Sequence, residues 1–436
     1  MVSGRTAGAD GVVNVPGDKS TSTRALLLAL LAEGPCTVRN VAPSRTTDHV
    51  VGVLRALGAS VDVVGSTVRV SPPASLADDA VLDCGGSATL ARIVLGLLAG
   101  AGKNAVVDGS AMLRRRPMER VREPLARYFG RDVVTLDDGH LPARVHKGPP
   151  PPTSTEPVTC LDSAQVRSAL CFAAFAARLP FPVTYDHSET RRSLEHLCAE
   201  IEIDLADPRV PAFTVTTPGD PSAEAFPLAL ALALGRSLAI TSPAYPGWDR
   251  IGFQLAITKM GARFPLGLLK QERELLARVA PLTGIVVAAD PVPRPSLTAG
   301  PHVYAQGLWL LIDEIPILAA LCALATTPSR LCGLAELRLK ESDRVSRTAE
   351  MLQAFGAAVV EEGDDLVIEP ATLRQPTTAI RTDHDHRIAM TALTLGHILD
   401  VDVELDDEAC VDESWRGFGA FIGDAARQLR AQHSGG

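Results

Sequence analysis

Val15-Pro16-Gly17-Asp18-Lys19-Ser20-Thr21-Ser22-Thr23-Arg24 runs directly into Ala25-Leu26-Leu27-Leu28-Ala29-Leu30. The first part supplies a turn, a helix-capping acid, hydroxyls and two cations; the second is apolar on every side of a helix. The same order recurs at Gly85-Gly86-Ser87, Asp162-Ser163, Asp220-Pro221-Ser222, Asp313-Glu314 and Asp385-His386-Arg387. Apolar runs follow near Leu90, Val166, Ala223, Ile315 and Ile388. The pattern predicts six buried helices with polar starts. Gathered together, such starts present free backbone N–H groups and positive dipole ends, which hold anions.

A second motif repeats beside the first. Leu54-Arg55-Ala56-Leu57-Gly58-Ala59 leads into the alternation Val61, Val63, then Val68, Val70. Related passages run from Leu125 to Val134, Leu255 to Phe264 and Met351 to Ala357, with a degenerate copy from Leu194 to Ile203. Each reads as an amphipathic helix, a glycine-type stop and a β-hairpin. Five α/β units are thus visible, and the Asp385 helix start implies a sixth.

At 436 residues the chain exceeds a single core, so six units divide into two domains of three. The expected division is 17–219 against 1–16 plus 220–436, with the turn Thr216-Thr217-Pro218-Gly219 at the join. Gly148 to Pro152 reads as a loop between units, and the tail after Ala425 as polar and frayed. With 46% hydrophobic and 21% charged residues the composition is that of a soluble globular protein. No apolar run reaches the roughly 18 residues of a membrane span, and Met1 to Asp10 carries no targeting signal. A cytoplasmic location is expected. The eight cysteines lie singly, without a C-x-x-C pair, and read as buried thiols. A net charge of −9 argues against nucleic acid as partner.

The charged segments narrow the chemistry. In the first helix start, Asp18 stands where a phosphate-binding P-loop needs the glycine before its lysine, which excludes that motif. Arg114-Arg115-Arg116-Pro117-Met118 offers forked donors suited to carboxylate or phosphate. In Arg338-Leu339-Lys340-Glu341-Ser342-Asp343-Arg344, a helix starting at this segment would place Lys340 and Arg344 on one face around an anion. Asp313 at its helix start reads as a cap. Asp383-His384-Asp385-His386 alternates carboxylate and imidazole, but its two histidines are spaced to point apart on a helix, so no metal is expected.

Together these stretches resemble the 5-enolpyruvylshikimate-3-phosphate synthase (3-phosphoshikimate 1-carboxyvinyltransferase) family over nearly the whole chain. The resemblance is carried by Pro16 to Ser20 with Arg24, Arg115 to Met118, Ser163-Ala164-Gln165, Asp220 to Ser222, Asp313 to Pro316, Leu339 to Arg344 and Asp385 to Arg387. It implies an α/β fold, a two-domain inside-out α/β barrel of the enolpyruvyl transferase type with three βαβαββ-like units per domain. It also implies transfer of the enolpyruvyl group of phosphoenolpyruvate to the 5-hydroxyl of shikimate 3-phosphate, without cofactor or metal, by a monomer. By similarity Ser20, Arg24, Ser163, Gln165, Arg191 and Lys340 bind the phosphorylated shikimate. Lys19, Arg116, Gln165, Arg344 and Arg387 hold phosphoenolpyruvate, the last two gripping its carboxylate; the Ala88 methyl crowds its phosphate, and Ala164 and His386 are further substrate-binding residues. Asp313 and Glu341, with Lys19, form the acid/base set.

The chain departs from the family pattern on the phosphoenolpyruvate side. Gly86 replaces a common Asn, Ala88 a common Gly, Thr46 an acidic residue, Arg192-Ser193 an Asp-His pair, and Glu413 a frequent lysine. The Ala88 methyl is associated in the family with tolerance of glyphosate. These changes keep a second expectation open: a specialised relative that uses another cyclic phosphate, or eliminates phosphate from shikimate 3-phosphate without phosphoenolpyruvate. A cousin acting on UDP-N-acetylglucosamine usually has a cysteine ahead of its Arg-Arg-Pro, and Asp108 to Met112 has none. Retention of both Asp313 and Glu341 argues against a non-catalytic binding protein.

Overall fold

The computed structural model describes residues 9–149, 163–179, 191–204, 207–247, 249–263, 274–275, 286–288, 302–304 and 308–431. The chain forms two units, Gly17–Pro218 and Met1–Pro16 with Gly219–Gly436. Each has its own hydrophobic core.

Strand β1 (Gly11–Val13) precedes the unit Gly17–Pro218. That unit opens with α1 (Lys19–Leu30), β2 (Cys36–Arg39), α2 (Arg45–Ala56), β3 (Ser60–Val64) and β4 (Thr67–Ser71). It continues with β5 (Ala80–Asp83), α3 (Ala88–Gly100), β6 (Ala105–Asp108), α4 (Ala111–Arg114), α5 (Glu119–Phe129), β7 (Val134–Asp137) and β8 (His140–Val145). It closes with α6 (Ala164–Ala177), α7 (Ser193–Glu200) and β9 (Thr214–Thr216).

The other unit adds α8 (Pro221–Ala233), β10 (Leu238–Ile240), α9 (Gly252–Lys259), β11 (Glu274–Leu275), β12 (Val286–Ala288) and β13 (His302–Tyr304). It ends with α10 (Ile315–Ala323), β14 (Ser329–Leu331), α11 (Arg344–Ala354), β15 (Ala358–Glu362), β16 (Asp365–Glu369), α12 (His386–Leu399) and α13 (Phe418–Ala431).

One sheet plan recurs. β5 pairs parallel with β6 across the buried helix α3, and β6 then pairs antiparallel with the β7–β8 hairpin, in the order β5-β6-β8-β7. The order β9-β2-β4-β3 repeats it around α1, with β9 supplied from the far end of the unit. In the other unit β12-β14-β16-β15 repeats it around α10. β1 and β10 pair parallel around α8, and β10 pairs antiparallel with β11. Around α12 the plan shrinks to one parallel bridge between Ile380 and Leu405.

The six apolar runs are all helices, α1, α3, α6, α8, α10 and α12. Local chemistry starts five of them. The side chains of Asp18, Ser87, Ser163, Asp220 and Asp385 accept from backbone N–H groups of the first turn. The fifth run differs from expectation. A 3-10 turn, Ile312–Glu314, precedes α10, which has no side-chain cap, so Asp313 is not a cap and its carboxylate serves elsewhere.

Helices α3 and α6 touch backbone to backbone. A Cβ on Gly96 would lie 2.0 Å from the Ala169 carbonyl oxygen, and one on Gly100 would lie 2.1 Å from that of Ala173. Gly96→Val therefore forces these helices apart. The expected loss is about 1–3 kcal/mol, read as a lower urea midpoint; an unchanged midpoint would contradict the packing.

The amphipathic helices end as expected at Gly58 and Gly356, both left-handed with φ of +99° and +88°. Hairpins follow both. In the degenerate copy after α7, Glu202 takes the left-handed position at φ +57°, and among the described residues no hairpin follows, only β9. The hairpin expected after Leu255–Phe264 and the loop after Gly148 lie largely outside the described residues. The tail is more ordered than its composition suggested. Residues through Ala431 belong to α13, because Ala426 and Leu429 reach the core.

Candidate active site

In the unit Gly17–Pro218 the start of α6 is the meeting point. Arg24, one turn into α1 and 3% exposed, donates from Nε to Ser168 Oγ at 3.1 Å and from Nη1 to the Ser20 carbonyl at 3.0 Å. Ser168 Oγ in turn donates to the Ala164 carbonyl at 2.8 Å. Arg92, one turn into α3, bonds through Nη1 to Gln165 Oε1 and through Nη2 to the Pro117 carbonyl at 3.0 Å. Arg167 donates from Nη2 to the Arg191 carbonyl at 2.5 Å and pairs with Glu195 at 2.7 Å.

These bonds draw Ser20, Arg24, Ser163, Ala164, Gln165, Arg191 and the segment of Arg116 around three helix starts. Lys19 and Ala88 occupy the first positions of α1 and α3. The region combines forked cations with helix N-termini, the two means by which proteins hold phosphate. Arg114 stands apart from it, paired with Asp108 on the surface.

The other unit centres on Arg344, the first residue of α11 and 2% exposed. Its Nε and Nη2 grip both oxygens of Asp385 at 2.8 and 3.2 Å. Nη2 also donates to Glu341 Oε2 at 2.6 Å, and Nη1 to Asp313 Oδ1 at 3.2 Å. Burial by itself would lower the Arg344 pKa. The charges of Asp385, Glu341 and Asp313 outweigh burial and raise it, so the guanidinium stays charged at any working pH.

Arg387 lies beside this cluster. Its backbone N–H is capped by Asp385 Oδ1 at 2.9 Å, and its Nη1 donates to the Ser222 carbonyl at 3.2 Å. Ser222 Oγ bonds Glu314, and Arg250 reaches both Ser222 Oγ and Asp220. The starts of α8, α10, α11 and α12 therefore meet, and His386 opens the last of them, 4% exposed.

The placement of Lys340 corrects the sequence reading. Asp343 caps α11 and Arg344 begins it, so Lys340 is not on that helix. Lys340 ends a 3-10 turn, Ala335–Leu339, in extended conformation, and its Nζ lies 3.3 Å from Glu336. The loop bearing Lys340 and Glu341 is fixed by Arg338. That guanidinium bonds Asp343, Asp364, Glu361 and the Gly363 carbonyl, tying the loop to the β15–β16 hairpin.

Sequence reasoning gave no role to Arg92, Ser168, Ser222, Arg250, Glu314 or Arg338. Arg92 follows the polar start Gly85-Gly86-Ser87 by one helical turn, and that position is the signal that marks it. His384 and Asp385 are otherwise engaged, His384 Nδ1 with Asp407 at 2.5 Å and Asp385 with Arg344. Among the described residues no group of three or more His, Cys, Asp or Glu side chains could hold a metal ion. Burial pushes the thiols of Cys198, Cys322 and Cys410 up to about 12, which leaves them protonated and inert. Among the described residues no helix is long and apolar enough to cross a membrane.

Repeated sheets around buried helices define an α/β protein, with arginines and carboxylates gathered at the helix starts of each unit. A family model for EPSP synthase (3-phosphoshikimate 1-carboxyvinyltransferase) matches residues 5–420. The chain is 37% identical over 430 residues to a 3-phosphoshikimate 1-carboxyvinyltransferase of Acidiphilium cryptum, covering 94% of this chain and 92% of that protein. It is 34% identical to the protein of that name from Granulibacter bethesdensis, covering 95% and 93%. A solved EPSP synthase of Acinetobacter baumannii superposes with a TM-score of 0.70 at 25% identity over 95% of both chains. The enolpyruvyl transferase NikO of Streptomyces tendae shares the fold, with a TM-score of 0.68 at 19% identity over 96% of this chain and 95% of that one. The chain belongs to the EPSP synthase family, and its architecture is the two-domain α/β fold of enolpyruvyl transferases.

Proposed function

We propose that this chain transfers the enolpyruvyl group of phosphoenolpyruvate to the 5-hydroxyl of shikimate 3-phosphate and releases inorganic phosphate. The observation that carries the reading is Arg344, which holds two candidate proton carriers, Asp313 and Glu341, on one buried guanidinium. In the addition step the 5-hydroxyl oxygen bonds to C2 of phosphoenolpyruvate, its proton leaves, and the methylene carbon gains a proton. In the elimination step that carbon returns a proton, the C2–O bond to phosphate breaks, and the double bond reforms. Asp313 and Glu341, with Lys19, carry these protons.

Ser20, Arg24, Ser163, Ala164, Gln165, Arg191 and Lys340 hold shikimate 3-phosphate in this reading. Arg116, Gln165, Arg344, His386 and Arg387 hold phosphoenolpyruvate, and the same cations stabilise the charged intermediate. The assignment gives residues 17–219 the phosphoshikimate-binding helix starts and the remainder most of the acid/base and carboxylate-binding groups. The chemistry needs only proton transfer and charge stabilisation, so no cofactor enters. The chain acts as a cytoplasmic monomer.

Pure protein incubated with shikimate 3-phosphate tests the reaction. Phosphate and enolpyruvyl product should form only when phosphoenolpyruvate is added; phosphate release without it would overturn the proposal.

Ala88 bears on selectivity. It begins α3 and is 2% exposed, and in this reading the phosphate of phosphoenolpyruvate, or glyphosate in its place, seats at that helix start against its methyl. An overlap of one methyl costs about 1–3 kcal/mol, and 1.4 kcal/mol is tenfold in affinity. Ala88→Gly should therefore lower the half-inhibitory glyphosate concentration about tenfold. Matching inhibition curves for the two proteins would remove Ala88 from the binding set.

A further inference from the structure

Immediately before α12 the backbone bends against its own side chains. Asp383 and His384 are both left-handed, with φ of +50° and +62°. Among the described residues no other two adjacent side-chain-bearing residues share that conformation. Each costs free energy, because Cβ crowds the following carbonyl oxygen. Two in succession persist only where the surroundings hold them.

Asp406 supplies that hold. Thr382, 0% exposed, donates from its N–H at 2.9 Å and from its hydroxyl at 2.6 Å to one oxygen of Asp406. The Thr382 hydroxyl oxygen in turn accepts from the His384 N–H at 3.2 Å. Burial by itself would raise the Asp406 pKa. The Thr382 hydroxyl and the N–H groups of Thr382, Asp407 and Asp383 outweigh it and keep the carboxyl below its ordinary range. Successive N–H groups around a turn form a nest for an anion, and here the chain provides the anion itself. Asp406 is anchored in its turn, its N–H donating to the Ile380 carbonyl at 3.1 Å beside the bridge from Ile380 to Leu405.

The bend leads straight into the candidate site. Asp385 follows it, caps the Arg387 N–H at 2.9 Å and bonds Arg344 at 2.8 Å. Arg347, one turn along α11 from Arg344, brings its Nε within 3.4 Å of Asp383. Two arginines on one face of α11 thus hold two aspartates of the approach to α12. The arginines fix the aspartate side chains, and Asp406 fixes the backbone that carries them.

Resting on the functional reading above, in which His386 and Arg387 hold phosphoenolpyruvate, we infer that Asp406 is a positioning residue for that substrate. It acts through the backbone: its carboxylate fills the nest, keeps the two left-handed residues in place and sets the direction of the first turn of α12. Without it the bend relaxes in most molecules, and apparent affinity falls by the fraction that remains competent.

Steady-state kinetics and calorimetry on the full chain test this. Asp406→Ala should raise KM for phosphoenolpyruvate about tenfold, while kcat at saturation stays within about threefold, because bound substrate selects the competent bend. Shikimate 3-phosphate alone should bind within about twofold of the unaltered protein. Asp406→Asn keeps the accepting oxygen and should raise KM by less, about threefold; it carries the same comparison should Asp406→Ala not fold. Glycine takes the left-handed conformation without Cβ crowding. His384→Gly gives up an ion pair with Asp407 whose histidine side chain is 68% exposed, so alone it should leave KM within about twofold. Added to Asp406→Ala, or to Asp406→Asn, it should recover most of the loss in KM.

A KM raised equally with and without His384→Gly would overturn the inference, since relief of the left-handed turn would then not replace Asp406. An unchanged KM with a lower urea midpoint would also overturn it, because that is the result for a carboxylate that only stabilises the fold. Both results leave the reaction standing. An unaltered protein that does not turn over phosphoenolpyruvate would overturn the functional reading and this inference together.

Discussion

Asp313→Ala should lower turnover by about 10²–10⁴-fold, the usual contribution of a positioned acid or base, while substrate binding remains measurable. The expectation rests on where the side chain is held. A 3-10 turn, not a cap, presents Asp313 to Arg344, and α10 begins without its help. Removing the carboxylate therefore costs no helix start. With Asp385 and Glu341 still on Arg344, the buried guanidinium keeps two of its three acidic partners. The loss should consequently appear in kcat and not in the urea midpoint. Unaltered turnover would remove Asp313 from the proton-carrying set, and a collapsed midpoint would give it a structural role.

Arg344→Met should have the largest effect on stability. Arg344 is 2% exposed and bonded to three carboxylates, one of them, Asp385, buried completely. Breaking a buried pair by removing one partner costs about 3–5 kcal/mol, because the remaining charge is left in a poorly solvated place. Urea unfolding reads that loss directly. Adding Asp385→Asn should recover part of it, since the stranded charge disappears, and this interaction between the two sites separates charge from shape. Full additivity would show that the pair is not coupled. The sign with pH is fixed by the raised Arg344 pKa. Its contribution is complete below the ordinary guanidinium range and is lost only above it, so alkaline titration to pH 10 should leave the difference between the proteins unchanged.

Local features were legible from the chain and long-range ones were not. Asp18, Ser87, Ser163, Asp220 and Asp385 each cap within three residues of themselves, so their helix starts follow from neighbours in sequence. Gly58 and Gly356 stop helices for an equally local reason, their left-handed backbone. Glu202 hid the same turn behind a side chain that seldom adopts it. The Lys340–Arg344 face was misjudged because Asp343, a strong cap, begins the helix after Lys340, and that signal was present in the sequence. Arg92 with Gln165, or Asp313, Glu341 and Asp385 on Arg344, depend on residues far apart in sequence meeting at one point. Residue types alone suggested an anion site in that region; packing shows that its central cation already has partners. Two hydrophobic cores and the hairpins follow from the alternation of apolar run and hairpin, whereas the parallel neighbours, β9 beside β2 and β10 beside β1, join strands about 180 to 230 residues apart and carry no local signal.

The parallel pairing of β1 with β10, Gly11 beside Leu238 through Val13 beside Ile240, has a consequence for biosynthesis. Everything from Gly17 to Pro218 is threaded between those two strands, as a closed parenthesis inside a longer phrase. A ribosome therefore delivers that inserted stretch complete while the leading segment still lacks a neighbour to zip onto. The inner body can mature on emergence, and the outer one must hold its opening strand in reserve until translation has passed Ile240.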